Sequence, residues 1–249
     1  MAVSIQEEDI TILIGAQQVS CKVKRSKKRR RTLALMMDPQ EGIVAHIPWR
    51  TSKAYLQDFI NSHHKWILSK VNKLNTLPQY RFVTGEQLAF LGQMLPLVVT
   101  EHDKQRSRCV YQDGQLQVAI KSVEDDEQRR KRIYLQIKKW YSGQAQLFLQ
   151  ERLVFWQEKL NIRCGSLRIS NPKRQWGCCH ANNNISLNWR VMMTSTELVD
   201  YLVVHELCHV PHKNHSPRFW KLVSSMIPDY RERRRELQNH AASYFGAGM

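Results

Sequence analysis

The sequence contains no apolar run near the ~20 residues that a membrane-spanning helix needs, which argues against a transmembrane role. Its first residues, MAVSIQEEDI, lack the basic-then-apolar order of a secretory leader, so the expected location is the cytoplasm. None of the six cysteines (21, 109, 164, 178, 179 and 208) stands in a Cys-x-x-Cys pair. That argues against a Cys-ligated zinc and a disulfide framework, and leaves reduced, mostly buried thiols. No internal repeat or low-complexity linker is visible. Acidic residues are scarce beside basic ones, 22 Asp+Glu against 38 Lys+Arg, for a net charge of +16. Such a field draws polyanions (nucleic acid, nucleotides, acidic proteins or anionic membrane surfaces) without choosing among them. The basic clusters are Lys22 to Arg31, Arg129 to Arg132 and Arg231 to Arg235, and each reads equally well as a solvated face.

What is present suffices for a sizeable core: 249 residues, 42% hydrophobic, enough for one large domain or two small ones. Residues 10–14 and 19–23 read as a hairpin turning at Gly15. Residues 32–37 and 43–47 read as another, turning over Asp38 to Gly42, and the basic run Lys24 to Arg31 joins the two. Ser52 is placed to cap a helix running to about Asn75, with Tyr55, Phe59, Ile60, Trp66, Ile67 and Leu74 inward, and Pro78 closes that unit. Gln87 to Thr100 and Cys109 to Ile120 read as hairpins turning at Gly92 and at Asp113-Gly114. Ile133, Ile137, Trp140, Tyr141, Ala145, Phe148, Leu149, Leu153 and Trp156 then recur at helical spacing, predicting a long helix from about Glu124 to Leu160. Ser166 to Asn171 reads as a strand, Asn171 to His180 as a loop and turn, and Ile185 to Met192 as an alternating strand. If that last strand has a free edge, a peptide can add to it beside the cleft. The expected class is α+β. A β-rich region with one helix covers residues 1–122, and a second part covers 123–249.

The chemistry concentrates in residues 205–215, which read His-Glu-Leu-Cys-His-Val-Pro-His-Lys-Asn-His. On a helix, His205 and His209 leave the same face one turn apart, which suits two corners of a tetrahedral Zn²⁺ site. Glu206 stands beside the first ligand, where a carboxylate can take a proton from a metal-bound water. Thr194 and Glu197 have capping-box spacing, and Leu198, Val199, Leu202, Val203 and Val204 make the helix body apolar. Pro211 cannot continue the helix, and Ser216-Pro217 reads as the start of the next, with Phe219, Trp220, Leu222, Val223 and Met226 on its apolar face. His215 therefore falls on a loop that folds back to the pair, as the third candidate ligand. His212 is left with three roles: replacing His215, donating a hydrogen bond behind a ligand, or a solvated loop position, the last two being favoured. Tyr201, Asn188, Arg174 and Trp176 are candidates to stabilise an oxyanion.

Together, the Trp176-Gly177 turn, the strand opening at Ile185, the motif from His205 to His209, Asn214-His215-Ser216 and Phe219-Trp220 resemble the YgjP-like metallopeptidase family. This family comprises bacterial and archaeal relatives of the WLM and SprT-like zinc peptidases. The resemblance covers nearly the whole chain, including the segment from Gly85 to Gly92. It implies a minimal zincin-like core over 123–249, in which a short sheet and a backing helix hold the helix of the motif. It implies His205, His209 and His215 as zinc ligands and Glu206 as general base. One departure stands out: the family usually shows Trp-Gly-Ser-Cys where this chain has Trp176-Gly177-Cys178-Cys179.

Three functions remain open at this point. The first is a zinc peptidase acting on peptides or unfolded protein. The second is a zinc-dependent nucleoside triphosphate hydrolase, an activity assigned with UTP to some family members; Lys173, Arg174 and Arg231 to Arg235 can hold phosphates. The third is a nucleic-acid-associated protein that carries zinc. A purely structural zinc fits poorly, because such sites are closed by four protein ligands and here no fourth is evident.

Overall fold

The computed structural model describes residues 5–14, 17–38, 42–75, 80–103 and 106–246. The turns placed at Gly15 and within residues 39–41, and the stop at Pro78, lie outside them. The chain forms two compact units that divide between residues 79 and 80. The compositional change at 122/123 thus falls inside the second unit, because the strands before it pack on the long helix after it.

The first unit is a four-stranded sheet with two helices. Strands β1 (Ile5–Ile14), β2 (Gln17–Ser26), β3 (Ala34–Asp38) and β4 (Gly42–Pro48) lie in the order β1-β2-β4-β3. The two hairpins are antiparallel, and β2 and β4 join them in parallel, with Cys21 opposite Ile43. Alternation places Cys21, Val23, Ile43, Ala45 and Ile47 on one face. There they bury Leu56, Ile60 and Ile67 from the helices. The helix expected from Ser52 to Asn75 is broken in two, α1 (Lys53–Ser62) and α2 (His64–Asn75). The reason lies at the junction. The Ser62 hydroxyl and the His63 and His64 rings bond the carbonyls of Phe59 and Asn61, side-chain bonds that compete with helix continuation. Tyr55, expected inward, is 58% exposed, and Leu56 takes the buried place.

The second unit opens with β5 (Gln87–Phe90), β6 (Gln93–His102), β7 (Arg108–Gln112) and β8 (Gln115–Lys121), in the order β5-β6-β8-β7. Both four-stranded sheets therefore consist of two hairpins joined by parallel inner strands. A repetition absent from the side chains is present in the topology. The turn at Asp113-Gly114 has positive φ at both residues, 53° and 75°, as a two-residue hairpin turn requires.

Helix α3 (Asp126–Leu160) follows, capped by Asp125, whose carboxylate accepts from the backbone of Glu127 and Gln128. Its buried residues are Ile133, Ile137, Tyr141, Ala145, Leu149, Leu153 and Gln157, each four after the last. Four residues turn a helix by roughly 400°, so this line drifts about 40° per step around the axis. The helix consequently faces different partners along its length. Near its middle, Tyr141 donates to the Ala89 carbonyl (2.6 Å). Farther on, Arg152 and Trp156 reach Asp200 of the helix that carries the histidines.

The remaining elements are β9 (Leu167–Ser170), β10 (Gly177–Cys179) and β11 (Ile185–Asn188), then a 3₁₀ turn (Trp189–Met193) and helices α4 (Thr196–Cys208), α5 (Pro217–Met226) and α6 (Tyr230–Gly246). The sheet order is β10-β11-β9. Two expectations are corrected here. The strand read as Ile185 to Met192 stops at Asn188, whose side chain accepts from the Arg190 N–H and donates to the carbonyls of Pro172 and Gln175. It is also the central strand, so it has no free edge; β10 and β9 are the outer strands. The helix start moves from Thr194 to Ser195, because the Thr194 hydroxyl is spent on the Val191 carbonyl. Together these elements form an α+β protein, as expected, and among the described residues no helix is long and apolar enough to cross a membrane.

Asp200 is the strongest polar tie between α3 and α4. It accepts from Arg152 Nε (2.7 Å), Arg152 Nη2 (2.9 Å) and Trp156 Nε1 (2.9 Å). Asp200→Ala is expected to cost ~2–3 kcal/mol, because a half-buried guanidinium loses its carboxylate. Chemical denaturation of the variant beside the parent measures it.

Candidate metal centre

Helix α4 is apolar enough to be buried on nearly all sides, so its last turn presents functional groups from a fixed frame. His205 and Glu206 lie in that turn, and His209 is the C-cap. The chain turns through 210–216, and α5 starts at Pro217, with Ser216 as N-cap. This return brings His215 to the first two histidines. Ring centroids are 5.0 Å apart for His205–His209, 5.1 Å for His205–His215 and 4.7 Å for His209–His215. One ligand nitrogen from each lies within 4.8 Å of the other two.

The arrangement fits a cation. His205 Nε2 and His215 Nε2 face each other at 3.1 Å. Two ligands of a tetrahedral zinc at ~2.0–2.1 Å stand roughly 3.3 Å apart. His209 Nδ1 lies 3.0 Å from the His212 carbonyl oxygen. The carbonyl can only accept, so Nδ1 carries the proton and Nε2 keeps its lone pair for a metal. His212 thus acts through its backbone, and its ring is not part of the cluster. His205 Nδ1 is buried without a hydrogen-bond partner among the described residues. Packing orients that ring instead. Phe219, fully buried, lies 5.0 Å from His205, 4.5 Å from His209 and 4.9 Å from His215, centroid to centroid. It is a common floor under all three imidazoles. Trp220 stacks on His215 at 5.4 Å and on Tyr230 at 5.2 Å.

The electrostatics favour neutral imidazoles at His205 and His215. Burial, then the charges of His209, His215 and Arg234, push His205 down to about 3. Burial, His209 and Arg234 lower His215 as well. Glu206 is 4% exposed, and burial pushes its carboxyl up to about 8, opposed by a hydrogen bond from the Cys179 backbone. A Cβ on Gly177 would stand 2.6 Å from Glu206 Oε1. That is why glycine follows Trp176: the carboxylate occupies the space that any side chain on β10 would take there. Lys213 ties the loop down, donating to Asn183 Oδ1 (2.6 Å) and the His180 carbonyl (3.2 Å), with Cys179 Sγ at 3.6 Å. All six cysteines are unpaired.

A cleft of about 470 Å³ opens over His205, Glu206 and His215. Of the four candidate oxyanion groups, Tyr201, Arg174 and Trp176 line it, whereas Asn188 is fully buried and its amide is spent on backbone. Arg234, from the cluster Arg231 to Arg235, also lines it and sits 5.0 Å over Trp220. Helix α6, which carries Arg234, leaves no periodic signal in the sequence, because its apolar positions are too few. The roles of Gly177 and Phe219 were equally invisible, since close approach and shared packing leave no spacing pattern.

Comparison with known proteins places the chain. No curated protein matches it in sequence. Among solved structures, the metallopeptidase zymogen of Methanocaldococcus jannaschii jannalysin is similar over 36% of this chain and 93% of its own, at 21% identity and a TM-score of 0.33. The description "YgjP-like, metallopeptidase domain" matches residues 31–240. With that match running from β3 and β4 through the second sheet, the backing helix and the histidine cluster, the chain belongs to the YgjP-like metallopeptidase family.

Proposed function

We propose that the protein is a zinc-dependent metallopeptidase, with His205, His209 and His215 as ligands and Glu206 as general base. The observation that carries this is the convergence of three imidazoles, two of which, His205 and His215, line one open cleft with the buried Glu206 carboxylate. Zinc, when bound, supplies Lewis acidity, lowering the pKa of a coordinated water towards ~7 and polarising the scissile carbonyl. The residues of the chain do the rest. Phe219 and the His212 carbonyl hold the imidazoles in register. Glu206 takes the proton of the attacking water and returns it to the leaving amine. Tyr201 and Arg234 line the same cleft and are placed to meet negative charge on the carbonyl oxygen. Because β10 is an outer strand of its sheet, an extended peptide can lie along it next to Glu206.

The test is a side-by-side assay of purified protein, chelator-stripped and zinc-restored, on an unfolded protein and on nucleoside triphosphates. Zinc-dependent cleavage of the polypeptide is expected. Arg174 and Arg234 in the cleft favour one other reading, hydrolysis of a nucleoside triphosphate, and turnover of UTP alone selects it. Gly177→Ala supplies an internal check. It forces the Glu206 carboxylate aside, and a displacement of that size is expected to lower turnover ~10²-fold while zinc binding is kept. Zinc stoichiometry and rate, measured on the same preparation, separate the two effects.

A further inference from the structure

The first unit carries a site unrelated to the histidines. Strands β2 and β4 run in parallel and end together, Ser26 opposite Pro48. The segments that leave them therefore emerge side by side: the basic run from Lys27, and the turn bearing Trp49 and Arg50. Between them is a concavity of about 480 Å³ lined by Lys27, Arg29, Arg30, Pro48, Trp49 and Arg50, with no acidic residue among them.

The concavity is held in shape from below. Arg25, 9% exposed, donates from Nε to Glu8 (2.9 Å) and from Nη1 to the carbonyls of Thr51 (2.8 Å) and Trp49 (3.4 Å). The Thr51 hydroxyl closes the turn on the Pro48 carbonyl at 2.9 Å. Arg29 donates to both oxygens of Thr32. Trp49 is 36% exposed, and Lys27 Nζ sits over one of its rings at 4.8 Å from the centroid. Among the described residues, no carboxylate pairs with Lys27, Arg30 or Arg50.

We propose that this concavity binds single-stranded nucleic acid, with phosphates on Lys27, Arg30 and Arg50 and an unpaired base stacked on Trp49. The cations alone would suit any polyanion. The aromatic plate makes the choice. A single strand offers ring faces at the same spacing as its charges, whereas a duplex keeps its bases inside and an acidic peptide has no base to stack. A site with one stacking residue and a few cations binds without sequence preference, in the range ~10⁻⁴–10⁻⁶ M at physiological salt.

The experiment is fluorescence anisotropy of the full chain with labelled oligothymidylate and oligouridylate of about 20 nucleotides, and with a duplex of equal length, between about 50 and 200 mM salt. Both single strands are expected to bind, and more tightly than the duplex. Trp49→Ala should weaken single-strand binding ~10-fold, and Trp49→Phe should restore most of the loss. The combined Lys27→Gln, Arg30→Gln, Arg50→Gln variant should reduce the slope of log affinity against log salt by roughly 2, at about 0.7 per cation. All three variants should retain the parent's melting temperature and hydrolytic rate; if Trp49→Ala fails to fold, the phenylalanine and charge variants carry the test. Several outcomes overturn the proposal. These are no binding by the parent, indifference of single-strand affinity to Trp49→Ala, or competition by polyglutamate as effective as by oligonucleotide, which would identify an acidic-protein surface instead.

Discussion

Glu206→Gln is expected to abolish hydrolysis, by ~10³-fold, while the protein still binds zinc at one ion per chain. Glutamine keeps the shape of the side chain in the space left by Gly177 but cannot accept a proton. Turnover and metal content measured together decide the matter: retained turnover removes Glu206 as the base. The same variant has a second readout in the metal-free protein. The folded carboxyl is pushed up to about 8 from 4.5, so between these values the folded state holds a proton that the unfolded state has released. Stability contributed by this group is present at low pH and is lost as pH rises through the folded value. Glutamine carries no such dependence. Metal-free Glu206→Gln should therefore be more stable than the parent near pH 8, by ~2 kcal/mol after discounting for relaxation, and the gap should close towards pH 5. His205 acts in the opposite sense. Its folded value of about 3 lies below 6.5, so its contribution is present above 6.5 and is lost as pH falls through that range. Urea titrations of the metal-free protein across pH should trace both limbs.

His215→Ala should weaken zinc binding by at least ~10²-fold, more than the loss typical of removing a group behind a ligand. His212→Ala should change it only a few-fold, because His212 contributes its backbone carbonyl to His209 and alanine has the same carbonyl. Competition against a chromophoric chelator measures both. The reverse result, with zinc kept in His215→Ala and lost in His212→Ala, would exchange the two assignments. His215 is the more exposed of the three imidazoles, so its removal leaves the fold intact and the comparison clean.

Much of this site can be read from residue order alone, because helix spacing and a proline stop are local rules. His205, His209 and the return to His215 follow from four-residue spacing, Pro211 and Ser216-Pro217. The hairpins at Gly92 and Asp113-Gly114 and the helix of 35 residues follow likewise from turn chemistry and periodicity. What could not be read depends on contacts distant in sequence. The parallel pairings of β2 with β4 and β6 with β8 leave no mark on either strand. The break at His63 arises from side chains bonding carbonyls in the preceding turn, which propensity does not register. Residues 189–192 alternate as a strand would, yet tertiary burial of Trp189, Arg190, Val191 and Met192 on all sides winds them into a 3₁₀ turn.

The buried line of α3 acts like the thread of a screw, and a thread tolerates no slipped count. Adding or deleting one residue near Gly143 would rotate everything beyond it by roughly 100°, turning Leu149 and Leu153 away from their seats and swinging Arg152 off Asp200. Natural variation in chain length should therefore collect in the loops at either end of this helix and spare its interior.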